Sequence, residues 1–313
     1  MLKAFTFPGQ GSQFVTMGKD LYENFTVAKE VFQEVDNALD FSLSDIIFNG
    51  PEEQLKLTVN TQPALMAVSI AVVRILETEG FILKDNVKWL AGHSLGEYSA
   101  LCAAGVFSLH DTAQLLKNRG KFMQEAVAVG VGAMAAIIGL SAEVVEDLCF
   151  QVKNIGKCQI ANDNGGGQLV VSGEKLAVEQ LMILSKEKGA KRAIALPVSA
   201  PFHSELMQPA AEKMQEELSK VKKNNASIPV ISNVLVEPVT NAEEIIQLLV
   251  KQVTGQVRWR ETIEWFEKNN VTQIAEVGAG KILTGLAKRI SSDVNLINIG
   301  TIEEIKDFLN KLN

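Results

Sequence analysis

The chain has 313 residues, 47% apolar and 21% charged, enough to bury a sizeable core and too hydrophobic to read as disordered. A surplus of 37 acidic over 30 basic residues gives a net charge of −7, which argues against nucleic acid as the main partner, because phosphate binding needs a basic surface. Cys102, Cys149 and Cys158 form no C-x-x-C pair, so neither a disulfide framework nor a metal site is expected, and a reducing compartment fits.

At the N-terminus Lys3 to Phe7 alternates like a half-buried strand and runs into the turn Pro8-Gly9-Gln10-Gly11-Ser12, expected as a βα loop at the C-terminal edge of a sheet. This start lacks the long apolar core and cleavage site of a signal peptide, so a cytoplasmic location is expected. The longest apolar run, Ala64 to Val73, is broken by Ser69 and stops at Arg74. That is too short for a bilayer and reads as a buried helix through Leu76, opened by Thr61-Gln62-Pro63 with proline in its first turn.

Val87-Lys88-Trp89-Leu90-Ala91, then Gly92-His93-Ser94-Leu95-Gly96, then the small residues Tyr98 to Ala104 read as strand, tight turn and helix. A G-x-S-x-G elbow of this kind holds a serine hydroxyl free at a helix N-terminus, where the dipole and unpaired N–H groups favour negative charge on a substrate oxygen. Ser94 is therefore the candidate nucleophile. Ser108-Leu109-His110-Asp111 resembles a capping box that starts a helix running to about Val127. On it Arg119 and Met123 lie four apart on one face, and Gly120 beside Arg119 signals a close approach, since glycine inside a helix costs about 1 kcal/mol against alanine.

From Gly130 the texture changes. Met134 to Leu140, Cys158 to Ala161, Leu169 to Ser172 and Arg192 to Val198 read as strands, with helices at Ser141 to Phe150 and Glu174 to Lys188. Strand-helix-strand-strand-helix-strand is the ferredoxin-like order, so a small domain over 127–198 is expected inside a larger α/β domain formed by 1–126 and 199–313. The second half supplies a helix around Pro209 to Val221, a strand Val230-Ile231-Ser232-Asn233, and Ile274 to Val277 leading into Gly278-Ala279-Gly280-Lys281. That last turn lacks the spacing of a phosphate loop.

Ser94 needs a neutral imidazole to take its proton, and the chain has three histidines. His93 adjoins the serine and its side chain diverges from it; His110 sits in a helix's first turn, where an exposed structural role fits. His203, in Pro201-Phe202-His203-Ser204 on the loop after the insert, is the candidate base. No acid stands at a telling position, and a backbone carbonyl could orient the imidazole instead.

Five segments resemble, in order and spacing, the malonyl-CoA:acyl-carrier-protein transacylase family. They are Phe7-Pro8-Gly9-Gln10-Gly11-Ser12-Gln13, Thr61-Gln62-Pro63-Ala64, Gly92-His93-Ser94-Leu95-Gly96-Glu97-Tyr98, Pro201-Phe202-His203 and Glu276-Val277-Gly278-Ala279-Gly280-Lys281. The resemblance spans essentially the whole chain. It implies a hydrolase-like parallel-sheet large domain with an inserted ferredoxin-like small domain. It also implies Ser94 as nucleophile and His203 as base, an oxyanion hole from the N–H groups of Gln10 and Leu95, and Arg119 for the malonyl carboxylate. Gln252 would orient the histidine through its main-chain carbonyl, and Met123, Asn162 and Phe202 would line the pocket. Around Gln252 the chain departs from the family, with Thr254-Gly255-Gln256 where an Asn-Pro pair is common.

The implied activity is malonyl transfer from malonyl-CoA to acyl carrier protein in fatty acid biosynthesis, with no bound cofactor, no membrane or nucleic acid partner, and a monomeric enzyme. Lys191, Arg192, Lys281, Lys288 and Arg289 are candidate carrier-protein contacts. A discrete polyketide acyltransferase, a serine thioesterase or esterase, and a non-catalytic docking module remain as alternatives on the sequence alone.

Overall fold

Phe5 and Phe7 point to one side of the first strand and Ala4 to the other, and all three are fully buried. In the computed structural model, which describes residues 2–198 and 200–311, this strand lies inside a sheet rather than at its margin. Met1, Ser199, Leu312 and Asn313 lie outside the described residues, and the expected domain boundary at 199 falls on one of them. In chain order the strands are β1 (Lys3–Phe7), β2 (Trp89–Gly92), β3 (Gly132–Ile138), β4 (Cys158–Asp163), β5 (Gln168–Glu174), β6 (Arg192–Ala195), β7 (Val230–Ile231), β8 (Pro238–Val239), β9 (Gln273–Val277) and β10 (Asn295–Ile299).

The larger sheet runs β10-β9-β1-β2-β7-β8 and is parallel except for β8, which pairs antiparallel with β7. Helices cover both faces, as parallel sheets require. Phe5 and Phe7 meet the helices Thr26–Leu39, Thr58–Thr78 and Ile302–Asn310 in one apolar cluster. Ala4, Ala91 and Ile231 meet Trp259, Ile263, Leu283 and Leu286 in another. The expectation of a half-buried β1 is thus corrected: its alternation separates two cores, not core from water.

The apolar helix spans Thr58–Thr78, longer than the run that announced it, and Pro63 sits inside it rather than in its first turn. The lost Pro63 N–H leaves the Val59 carbonyl without its intrahelical donor. By length and composition alone this helix could cross a bilayer, contrary to the shorter segment expected; in the fold 89% of its most apolar stretch is buried against the rest of the protein.

The second sheet, β4-β5-β3-β6, is antiparallel throughout, with β3 at its centre between β5 and β6. This is the ferredoxin-like arrangement. Helices Ala142–Gln151 and Lys175–Glu187 pack on one face against Ala135, Ile137, Leu169 and Val171. On the other face Met134 and Val170 join the core of the large sheet. The last strand ends at Ala195, not Val198, because Pro197 has no N–H to offer the ladder. Ser141 occupies the cap position of its helix but makes no side-chain bond to the backbone there.

Candidate active site

At the C-terminal end of β2 the backbone turns so sharply that Ser94 adopts φ 54° and ψ −108°, an arrangement side chains rarely tolerate. Two glycines make the turn physically possible. A Cβ on Gly92 would collide with the Gly96 backbone, and one on Gly96 would collide with the Phe7 carbonyl of β1. Asn233, just beyond β7, holds the turn from both sides: its Nδ2 donates to the Gly92 carbonyl (2.7 Å) and its Oδ1 accepts from the Ser94 N–H (2.8 Å). Leu95 begins the helix Leu95–Ala103, so its N–H has no carbonyl within the helix to meet.

The Ser94 Oγ lies 2.7 Å from Nε2 of His203. His203 also has positive φ, 55°, and its Nδ1 donates to the main-chain carbonyls of Gln252 (2.8 Å) and Gly255 (3.1 Å). With Nδ1 carrying the proton, Nε2 is free to accept one. Burial, reinforced by the nearby Arg119 charge, pushes the His203 pKa down to about 3, so the ring is neutral across physiological pH. The other two histidines lie elsewhere. His93 bonds Asn164 Oδ1 through Nε2 (2.9 Å) and packs edge-on to Trp259, and burial lowers its pKa. His110 is exposed beyond Ser108, which caps its helix at the Asp111 N–H.

Arg119 is only 1% exposed, on the helix Leu109–Glu125. One terminal nitrogen donates to Gln62 Oε1 (2.8 Å), and the other donates both to Gln252 Oε1 (2.8 Å) and to Ser94 Oγ (3.1 Å). The guanidinium also lies over the Tyr98 ring, 5.5 Å from its centre. Its helix comes close enough because residue 120 is glycine: a Cβ there would stand 2.7 Å from the Thr58 carbonyl oxygen and from Val59 Cα.

Beneath the serine lies a buried carboxylate. Glu97 accepts from Gln252 Nε2 (2.8 Å) and the Asn233 N–H (3.3 Å). Burial pushes its pKa up to about 7 against the pull of those hydrogen bonds and of Arg119. The same Gln252 Nε2 donates to the Ser94 carbonyl (2.9 Å).

A cavity of about 180 Å³ opens over these groups, lined by Gln10, Leu95, Met123, Asn162 and Phe202 beside Ser94, Arg119 and His203. Every candidate site residue from the sequence therefore lines this cavity except Gln252, which bonds His203, Arg119 and the Ser94 carbonyl from outside it. A larger hollow of about 480 Å³ lies along β10 and the helix Ile302–Asn310, remote from the serine and histidine. Among the described residues no group of three His, Cys, Asp or Glu side chains is placed to hold a metal ion.

Sequence reasoning did not assign Gln62, Glu97 or Asn233. Glu97 carried a signal, a lone charge in an otherwise small and apolar helix, which implies a buried partner. Asn233 carried none, being indistinguishable from the end of a strand.

An elbow serine and a carbonyl-oriented histidine, set between a parallel sheet and an inserted antiparallel one, define an acyl-transferring fold, and the chain belongs to the acyl transferase domain family, whose model matches residues 4–284. Within it the chain is similar to the malonyl CoA-acyl carrier protein transacylase of Bacillus subtilis, 47% identical over 97% of this chain and 95% of that one. The crystal structure of an acyl-carrier-protein S-malonyltransferase from Bartonella henselae is 59% identical, superimposes with a TM-score of 0.98, and is covered to 99% by 100% of this chain. A malonyl-transacylase solved in complex with its type II PKS acyl-carrier protein is 40% identical with a TM-score of 0.96, over 99% of this chain and 100% of that one.

Proposed function

We propose that this protein moves the malonyl group of malonyl-CoA to the phosphopantetheine thiol of an acyl carrier protein, in fatty acid biosynthesis. The observation that carries the reading is one oxygen, Ser94 Oγ, shared by a neutral imidazole at 2.7 Å and a buried guanidinium at 3.1 Å. The first makes a nucleophile; the second selects a substrate with a free carboxylate, since a planar fork pairs bidentately with such a group.

His203 takes the Ser94 proton as Oγ attacks the thioester carbonyl. The N–H groups of Leu95 and Gln10 receive the developing oxyanion, and coenzyme A leaves as the thiol with the proton from His203. The malonyl-serine ester then meets the carrier thiol, which gives its proton to His203 as its sulfur attacks; the proton returns to Ser94 as the product thioester departs. The Gln252 carbonyl holds the imidazole, and Met123, Asn162 and Phe202 shape the cavity around the acyl chain.

The reading includes a monomeric cytoplasmic enzyme without bound cofactor, working apart from membranes and nucleic acid. It divides the chain into the large domain, 1–126 with 199–313, and the insert 127–198. Carrier protein is acidic, and Lys191 and Arg289 flank the β4–β5 hairpin, lying against Gly139 and Gly166. With Arg192 and Lys288 they form the proposed contact; Lys281, paired with Glu304 at 2.7 Å, is the weakest member.

The experiment is intact mass after brief incubation with malonyl-CoA or acetyl-CoA, with the Ser94→Ala protein alongside. A malonyl increment that needs both malonyl-CoA and Ser94 supports the reading. Thioester consumption with no increment and no dependence on carrier protein would replace it with a thioesterase.

A further inference from the structure

Strand β4 of the insert does more than line the cavity with Asn162. It lies beside the segment that follows Gln252, with the Asp163 N–H donating to the Val257 carbonyl (3.0 Å) and the Val257 N–H to the Ala161 carbonyl (2.8 Å). Near its start stands Gln159. The side-chain Nε2 donates to the main-chain carbonyls of His203 (3.2 Å) and Thr254 (3.2 Å), and Oε1 accepts from the Glu205 N–H (3.0 Å).

One amide thus ties the histidine's own peptide, the residue two beyond it, and the carbonyl between the two that receive His203 Nδ1. His203 needs such a tie. Its φ of 55° lies in the left-handed region, which a side-chain-bearing residue keeps only when its surroundings over-determine it.

We infer that Gln159 is a positioning residue for His203, through which the inserted sheet sets the distance and aim of the imidazole at Ser94. The inference rests on the proposed role of His203 as base. Gln159 does not itself line the cavity and bonds main-chain groups rather than the reacting atoms, so its removal acts on the rate of serine attack and leaves malonyl-CoA binding alone. An error of an ångström in a catalytic group can cost about 100-fold, which sets the scale.

The test uses the full chain with Gln159→Met, which keeps bulk and length but neither donor nor acceptor, and Gln159→Glu, which keeps the acceptor for Glu205 and sets a carboxylate against two carbonyls. Single-turnover malonyl loading at saturating malonyl-CoA is followed by mass, malonyl-CoA affinity is measured in the Ser94→Ala background, and thermal midpoints are recorded. Loading slowed about 10- to 100-fold in both variants, with affinity within about twofold and melting well above the assay temperature, is the expected result. Wild-type loading by Gln159→Met overturns the inference, as does a loss matched by equal loss of affinity or by melting, which would make Gln159 plain glue between the sheets. His203→Ala is run beside them: near-normal loading there would remove the base assignment itself, a different failure.

Discussion

Gln252 serves the site with both its parts. Its carbonyl receives His203 Nδ1, while its side-chain amide joins Arg119, the Ser94 carbonyl and Glu97. The amide is oriented by its neighbours, because only oxygen can face a guanidinium and only nitrogen a carboxylate oxygen. Arg119→Ala should therefore cut malonyl loading by two powers of ten or more, about 3 kcal/mol in the barrier, and change acetyl loading far less. Equal losses with both donors, measured as kcat/KM, would make Arg119 structural.

The buried titrating pair makes two further expectations at this scale. His203 is neutral until about pH 3, so kcat/KM for malonyl-CoA should show no step near 6.5 between pH 8 and 5; a midpoint there would mean the ring is hydrated and charged. For stability the signs oppose. The unfolded chain protonates His203 near 6.5 and the native one only near 3, so this group's contribution is lost as pH falls through that window. Glu97 keeps its proton in the native state to about 7 but loses it near 4.5 when unfolded, so its contribution is lost as pH rises from 4.5 to 7. Glu97→Gln removes the second slope alone. Relative to wild type, the variant should gain up to about 1.4 kcal/mol per pH unit across 4.5 to 7, read from urea midpoints.

At the scale of elements, the helices Thr58–Thr78 and Leu109–Glu125 cross where Gly120 leaves no room for a methyl group. The same crossing brings Gln62 to Arg119, so packing and the proposed recognition of substrate share one contact. Gly120→Ala should destabilise the protein by about 1–3 kcal/mol through overpacking and slow malonyl loading as Arg119 is displaced. Unchanged melting and loading would show that the helices can part without cost.

The close approach at Gly120 was legible in the sequence, because glycine within a helix has few other reasons to be there, but the helix that makes it was not. The elbow was legible too, its pattern complete within five residues, although only Gly92 answers to sterics inside it and Gly96 answers to the Phe7 carbonyl of β1. Legibility ended where partners come from far along the chain. Asn233 clamps the Ser94 turn from 139 residues away, and Gln159 reaches His203 from the insert. Local pattern also misread β1, since alternation cannot distinguish a strand facing water from one dividing two cores of unequal side chains, Phe5 and Phe7 against Ala4. Pro63 reads from the sequence as lying in the first turn of its helix because Thr58 to Gln62 offer Val59 as their one apolar residue.

At the scale of the whole molecule, the two sheets differ in how far apart in sequence their strands lie. Each strand of the inserted sheet finds its neighbours between Gly132 and Ala195. In the large sheet β1 pairs with β2 and β9, so Thr6 meets Ala275 across 269 residues, and its hydroxyl donates to that carbonyl at 3.2 Å. A strand in that position cannot be completed early. Emerging from the ribosome, the first residues must wait with one edge unpaired until most of the chain has followed, whereas the insert can close on itself soon after its last strand appears. Pulsed hydrogen exchange during refolding should accordingly find the amides of β3 and β5 protected before those of β1 and β9; simultaneous protection would mean that the two sheets form as one cooperative unit. Until the late segments arrive, β1 keeps an open backbone edge and Phe5 lacks the cover of Phe308, so the nascent protein has its greatest need of a chaperone while the future reaction centre exists only in halves.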